Sequence, residues 1–83
     1  MKDFLDRLQK AHSLIKQEDT GTRKQFAKAL GLSESGLWRT LKVFERHNIP
    51  VKFSKRGKTY YYDIPKHQTV RLVWLLEIVD LDS

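Results

Sequence analysis

No cysteine occurs among the 83 residues. That excludes disulfides, thiolate zinc sites and cysteine nucleophiles together, and it is compatible with a cytosolic location. Long apolar runs are also missing. The longest stretch, VWLLEIV, is broken by Glu77 and falls far short of the ~20 residues a bilayer requires, so no membrane partner is expected. The opening MKDFLDRLQK is charged and amphipathic, so no secretory signal is expected. His12, His47 and His67 lack metal-ligand spacing, no serine or acid pair forms a catalytic constellation, and no phosphate-binding glycine loop occurs. The expectation is a protein that is not an enzyme and has no cofactor and no metal. His12 lies beside an apolar helical face and reads as packed or half-exposed. No repeat, low-complexity tract or linker interrupts the chain. A hydrophobic content of 40% with 31% charged residues fits one folded domain rather than a disordered chain.

What is present is charge, concentrated in one place. Residues 39 to 58 contain Arg39, Lys42, Arg46, Lys52, Lys55, Arg56 and Lys58 against one acid, Glu45. Seven minus one is six, the net charge of the whole chain, +6. The other residues cancel. Such an excess marks a surface for a polyanion, with a merely solvated basic face as the plain alternative.

The periodicity gives the elements. Phe4, Leu8, Ala11 and Ile15 recur on one helical face over residues 3 to 17, and Gly21 is expected to end that unit. Thr22 and Gln25 form a capping box for a short helix with Phe26, Ala27 and Leu30 buried, closed by Gly31. Ser33 caps a third helix with Glu34 in its first turn and Leu37, Leu41 and Phe44 as its core face. Asn48 and Pro50 end it. Residues 51 to 62 alternate as a hairpin with Lys55-Arg56-Gly57-Lys58 at its tip. Tyr60 and Tyr62 are expected on the body of the domain and Tyr61 outward. Residues 67 to 81 fit a helix or a strand; length and leucine content favour a helix.

At 100° per residue, the direction opposite Leu37, Leu41 and Phe44 is held by Ser35, Arg39, Lys42 and Arg46, with no acid among them. Gly36 would allow close approach to a groove. Trp38 lies on the flank, either at the rim of the core or against a thymine methyl or sugar. The tip cations Lys55, Arg56 and Lys58 either reach phosphates or an adjacent minor groove, or simply solubilise a turn.

The segment TRKQFAKALGLSESGLWRTLKVFERHNIPVKFSKRGKTYYYD resembles the winged helix-turn-helix of the biotin-repressor N-terminal domain and of DeoR-type regulators. The matching elements are Ala27, Leu30-Gly31-Leu32-Ser33, Leu37-Trp38-Arg39, Leu41, Ile49-Pro50-Val51 and the Gly57-to-Tyr61 wing segment. Asn48 replaces the glycine usual after the third helix. The resemblance implies a mainly α fold with a small β-hairpin: a winged helix-turn-helix with a three-helix core plus wing, and a C-terminal helix after it. The expected single domain spans 1–83, with the helix-turn-helix at 22–47, the wing at 51–62 and the C-terminal segment at 66–83.

The implied function is sequence-specific binding of double-stranded DNA, as a small prokaryotic or phage transcription regulator in the cytoplasm, associated with the nucleoid. Helix 34–47 would enter the major groove. The implied contact set is Ser33, Ser35, Gly36, Trp38, Arg39, Lys42, Arg46, Lys55, Arg56 and Lys58. Useful specificity usually takes two copies, and residues 67–81, with Leu72, Val73, Trp74, Leu76, Ile78 and Val79, either form a homodimer contact or pack on the first helix. No sensing or catalytic domain is expected after Ser83, so no ligand or biotin chemistry carries over. Two other readings stand beside this one: a winged-helix protein–protein module, and the DNA-binding fragment of a larger regulator.

Overall fold

Three helices form where periodicity and caps ask for them: α1 (Lys2–Lys16), α2 (Arg23–Ala29) and α3 (Glu34–Arg46). Two hairpins follow, β1 (Val51–Ser54) with β2 (Thr59–Tyr62), and β3 (Gln68–Leu72) with β4 (Leu76–Asp80). Each pair is antiparallel and forms its own two-stranded sheet. The computed structural model describes residues 2–72 and 76–81. Val73 and Trp74, named above as dimer candidates, lie outside the described residues.

The helix boundaries have local causes. Thr22 Oγ1 accepts from the Gln25 N–H at 3.3 Å while Gln25 Oε1 accepts from the Thr22 N–H at 2.8 Å. Ser33 Oγ accepts from the Gly36 N–H at 3.1 Å. All three helices end with the same pair of crossed backbone bonds and one left-handed residue. In α2 the N–H groups of Gly31 and Leu32 donate to Lys28 O and Ala27 O, with Gly31 at φ +69°. In α3 those of Asn48 and Ile49 donate to Glu45 O and Phe44 O, with Asn48 at φ 60°. In α1 those of Glu18 and Asp19 donate to Ile15 O and Leu14 O, with Glu18 at φ 53°. Glu18, not Gly21, is therefore the terminator of α1. Gly21 serves the next cap: at φ +73°, a Cβ there would collide with the Gln25 side chain.

One core joins all elements. Leu8, Ala11 and Ile15 of α1 meet Phe26, Ala27 and Leu30, then Leu37, Phe44 and Ile49, then Val70 and Leu76. The molecule spans 37 × 34 × 18 Å, and its short dimension suits about two layers of packed elements. Phe4 falls off the buried stripe of α1 and is 46% exposed. In α3 Thr40 takes the buried place expected of Leu41, which is half-buried. The Thr40 hydroxyl is satisfied by donating to Gly36 O at 3.0 Å.

The expected fold class is corrected here. A mainly α domain with one hairpin and a C-terminal helix is not what forms: the described residues make three helices and two small antiparallel two-stranded sheets, and a winged helix is not shown. The difference lies in residues 67–81. Val70 pairs with Ile78 and Leu72 with Leu76, which puts four apolar residues on one face. Val70 and Leu76 enter the core, and β3 packs on α1. Arg71 lies directly opposite Glu77, with Nε to Oε1 at 2.9 Å. Six residues apart on a helix, those two side chains would not be neighbours. Leucine favours a helix locally; burial of one alternating face against α1 decides otherwise.

Candidate nucleic-acid interface

The outward side of α3 is set by what its inward side buries. Leu37, Thr40 and Phe44 are buried, so the opposite direction falls on Ser35, Lys42 and Arg46, with Arg39 beside them. Ser35, Arg39 and Arg46 are exposed. Lys42 is more committed: its Nζ lies 3.1 Å from Glu45 Oε2 and 5.0 Å from the centre of the Trp38 ring. Trp38 is 61% exposed, too open for a rim-of-core role. Its indole instead holds Lys42 by cation–π attraction.

Two expected contacts are occupied with local work. The Ser33 hydroxyl oxygen caps α3. Gly36 is half-buried, and a Cβ there would meet Leu32 Cδ2 at 3.2 Å, so glycine gives the turn leucine room to pack on the helix.

The hairpin β1–β2 aligns Val51 with Tyr62, Lys52 with Tyr61, Phe53 with Tyr60 and Ser54 with Thr59. Alternation turns Tyr60 and Tyr62 inward. Tyr60 packs on Phe26 and Phe53 at ring separations of 5.5 and 5.1 Å. Tyr62 packs on Phe44 at 6.0 Å, and its hydroxyl bonds His12 Nδ1 at 2.8 Å. Burial raises the Tyr62 hydroxyl pKa. Partial burial, with the nearby Lys16 charge second, lowers that of His12. Burial also raises Tyr60, with Arg23 and Glu34 acting on it more weakly. The hairpin thus starts beside the end of α3, where Val51 shares a depression with Trp38, Leu41 and Glu45. Its inner strand returns within electrostatic reach of the first turns of α2 and α3.

A buried pair of threonines fixes that placement, and it was not legible in the sequence. Thr20 and Thr59 are each 4% exposed. The Thr20 N–H donates to Thr59 Oγ1 at 3.1 Å, and the Tyr60 N–H donates to Thr20 Oγ1 at 2.8 Å. The hydroxyls lie 3.1 Å apart and donate onward to Gly21 O and Tyr60 O. The α1–α2 connection is thereby tied to the base of the hairpin, 39 residues away.

The tip is exposed. Lys55, Arg56 and Lys58 make no ion pair among the described residues. The Gly57 N–H donates to Ser54 Oγ at 3.0 Å. The left-handed residue of the turn is Lys58, at φ 52°, and not Gly57. Lys52 leaves the basic set, since its Nζ lies 2.8 Å from Asp63 Oδ2, which also raises its pKa. Of the seven cations of residues 39–58, removing Lys42 and Lys52 leaves five: Arg39, Arg46, Lys55, Arg56 and Lys58.

Among the described residues, no group of three or more His, Asp or Glu is placed to hold a metal, and no helix is long and apolar enough to cross a membrane. Comparison of the chain with protein-family models, with curated proteins and with solved structures gives no match.

Proposed function

We propose that this protein binds double-stranded DNA in a sequence-dependent way and acts as a small transcription regulator. The observation that carries the reading is the set of five cations, on the outward side of α3 and at the β1–β2 tip, that have no ion pair among the described residues. A helix fits the major groove, and its N-terminal residues are those usually nearest the base edges. Arg39 is the candidate for a bidentate guanine contact, with Ser35 beside it. Arg46 faces phosphates, Lys42 reaches one only by giving up Glu45, and Trp38 supplies an apolar edge for a sugar or thymine methyl. The tip cations take the adjacent backbone or minor groove. The resemblance of residues 22–47 to helix-turn-helix regulators supports the same assignment.

The test is selection of a randomised duplex library on the purified chain at about 150 mM salt, where nonspecific attraction is weakened. An enriched motif is expected, and a palindromic one would mean two copies bind together. Absence of enrichment together with salt-insensitive, weak binding would overturn the reading.

A further inference from the structure

A groove between the first turns of α1 and the flank of α3 combines two chemistries. Its apolar lining is Phe4, Leu32, Trp38 and Val43, and its cationic lining includes Arg7, Arg39 and Arg46. Its fourth charged residue, Lys42, is also a cation, so no carboxylate lines the groove. None of the three arginines makes an ion pair among the described residues. Gly36 of α3 lets Leu32 pack close against the helix at the groove wall. Phe4 is 46% exposed, and Leu5 beside it 49%. A nucleic-acid backbone would account for the arginines but not for an open phenylalanine over an apolar lining.

We propose that this groove docks an acidic amphipathic helix of a partner protein. Apolar side chains at i, i+3, i+4 and i+7 would cover Phe4, Leu32 and Val43. Flanking carboxylates would meet the arginine guanidiniums, whose planar fork matches a carboxylate. Charge complementarity selects an acidic partner over a neutral or basic one. Arg39 and Arg46 also belong to the DNA-contact set, so the docked helix and a duplex exclude each other. That exclusion, unlike the docking itself, rests on the function proposed above. The partner would act as a release factor for the bound regulator.

The probe is a synthetic helical peptide with Leu at the i, i+3, i+4, i+7 positions and Glu on the flanks, alongside a scrambled peptide of the same composition. Each is titrated into the isotopically labelled full chain and followed by backbone amide shifts. Saturable shifts are expected along the first half of α1 and along α3. Binding should weaken by about tenfold or more for the scrambled peptide and for each of Phe4→Ser and Arg7→Glu. No saturable shift, or equal binding of the scrambled peptide, overturns the proposal. Duplex binding measured without peptide separates the two readings. A chain that binds duplex but not peptide loses only the docking proposal. A chain that binds peptide but no duplex loses the DNA reading and keeps the docking.

Discussion

Lys58 shows how one residue carries both a backbone cost and a charge. A non-glycine side chain at φ 52° is strained by about 1 kcal/mol. Lys58→Gly should raise stability by about 0.5–1 kcal/mol in a denaturant titration, yet weaken DNA binding. Glu18→Gly, at φ 53° and outside the proposed contact set, should give the same stability gain without weakening DNA binding. If both variants bind DNA like the parent, the tip is not a contact. Under the proposed DNA reading, Arg39 is the residue expected to carry specificity. Arg39→Ala should cost about 1–3 kcal/mol on the best sequence and flatten discrimination among sequences. Equal weakening on all sequences would make it a phosphate anchor only.

At the scale of elements, the junctions between them matter more than the elements. Thr20→Val keeps shape but leaves the Tyr60 N–H without its acceptor in a buried place, so it should cost about 1–3 kcal/mol of stability in a thermal or urea melt. A neutral result would mean water replaces the hydroxyl. The α1–β2 junction is expected to respond to pH. His12 has a folded pKa below its ordinary 6.5 because partial burial, then Lys16, disfavours its charge. The unfolded chain therefore binds the proton more readily. Stability from this group is complete above pH 6.5 and is lost as pH falls through the lowered folded value. His12→Phe should remove that part of the pH dependence, and urea midpoints of both chains from pH 7.5 to 5 check it.

Legibility divides along the same line. Caps and terminators written within four or five residues, such as Thr22 with Gln25, Ser33, Gly31 and Asn48, could be read directly, as could the inward turn of Tyr60 and Tyr62. The Thr20–Thr59 clasp could not, because its partners meet only after folding. Strand alternation over residues 67–81 was visible in Val70, Leu72, Trp74, Leu76 and Ile78, but Val70, Val73, Trp74 and Glu77 also suit a helix, and nothing in the pattern marked a hairpin. Only packing on α1 separates the two. Glu18 hid because glutamate is a poor terminator by composition, while Gly21 nearby suggested a simpler ending.

For the whole molecule the question is how many of the cations counted in the sequence remain available to a polyanion. Binding that releases counterions falls with salt at a slope of about −0.9 per neutralised phosphate. Seven cations would give a slope of about −6.3, and five about −4.5. Lys42 and Lys52 sit 3.1 and 2.8 Å from carboxylates, and a phosphate must displace those partners to gain them. The expected slope is therefore between about −4 and −5, which corresponds to a loss of roughly 500-fold between 50 and 200 mM salt. Asp63→Asn frees Lys52 and should steepen the slope by about 0.9 if the hairpin lies on the duplex. Substituting Lys55, Arg56 and Lys58 together with alanine should flatten it by about two to three units. A parent slope near −6 would mean that both ion pairs open on binding. A slope near zero would exclude a polyanion from this face and leave the α1–α3 groove as the remaining use of its arginines.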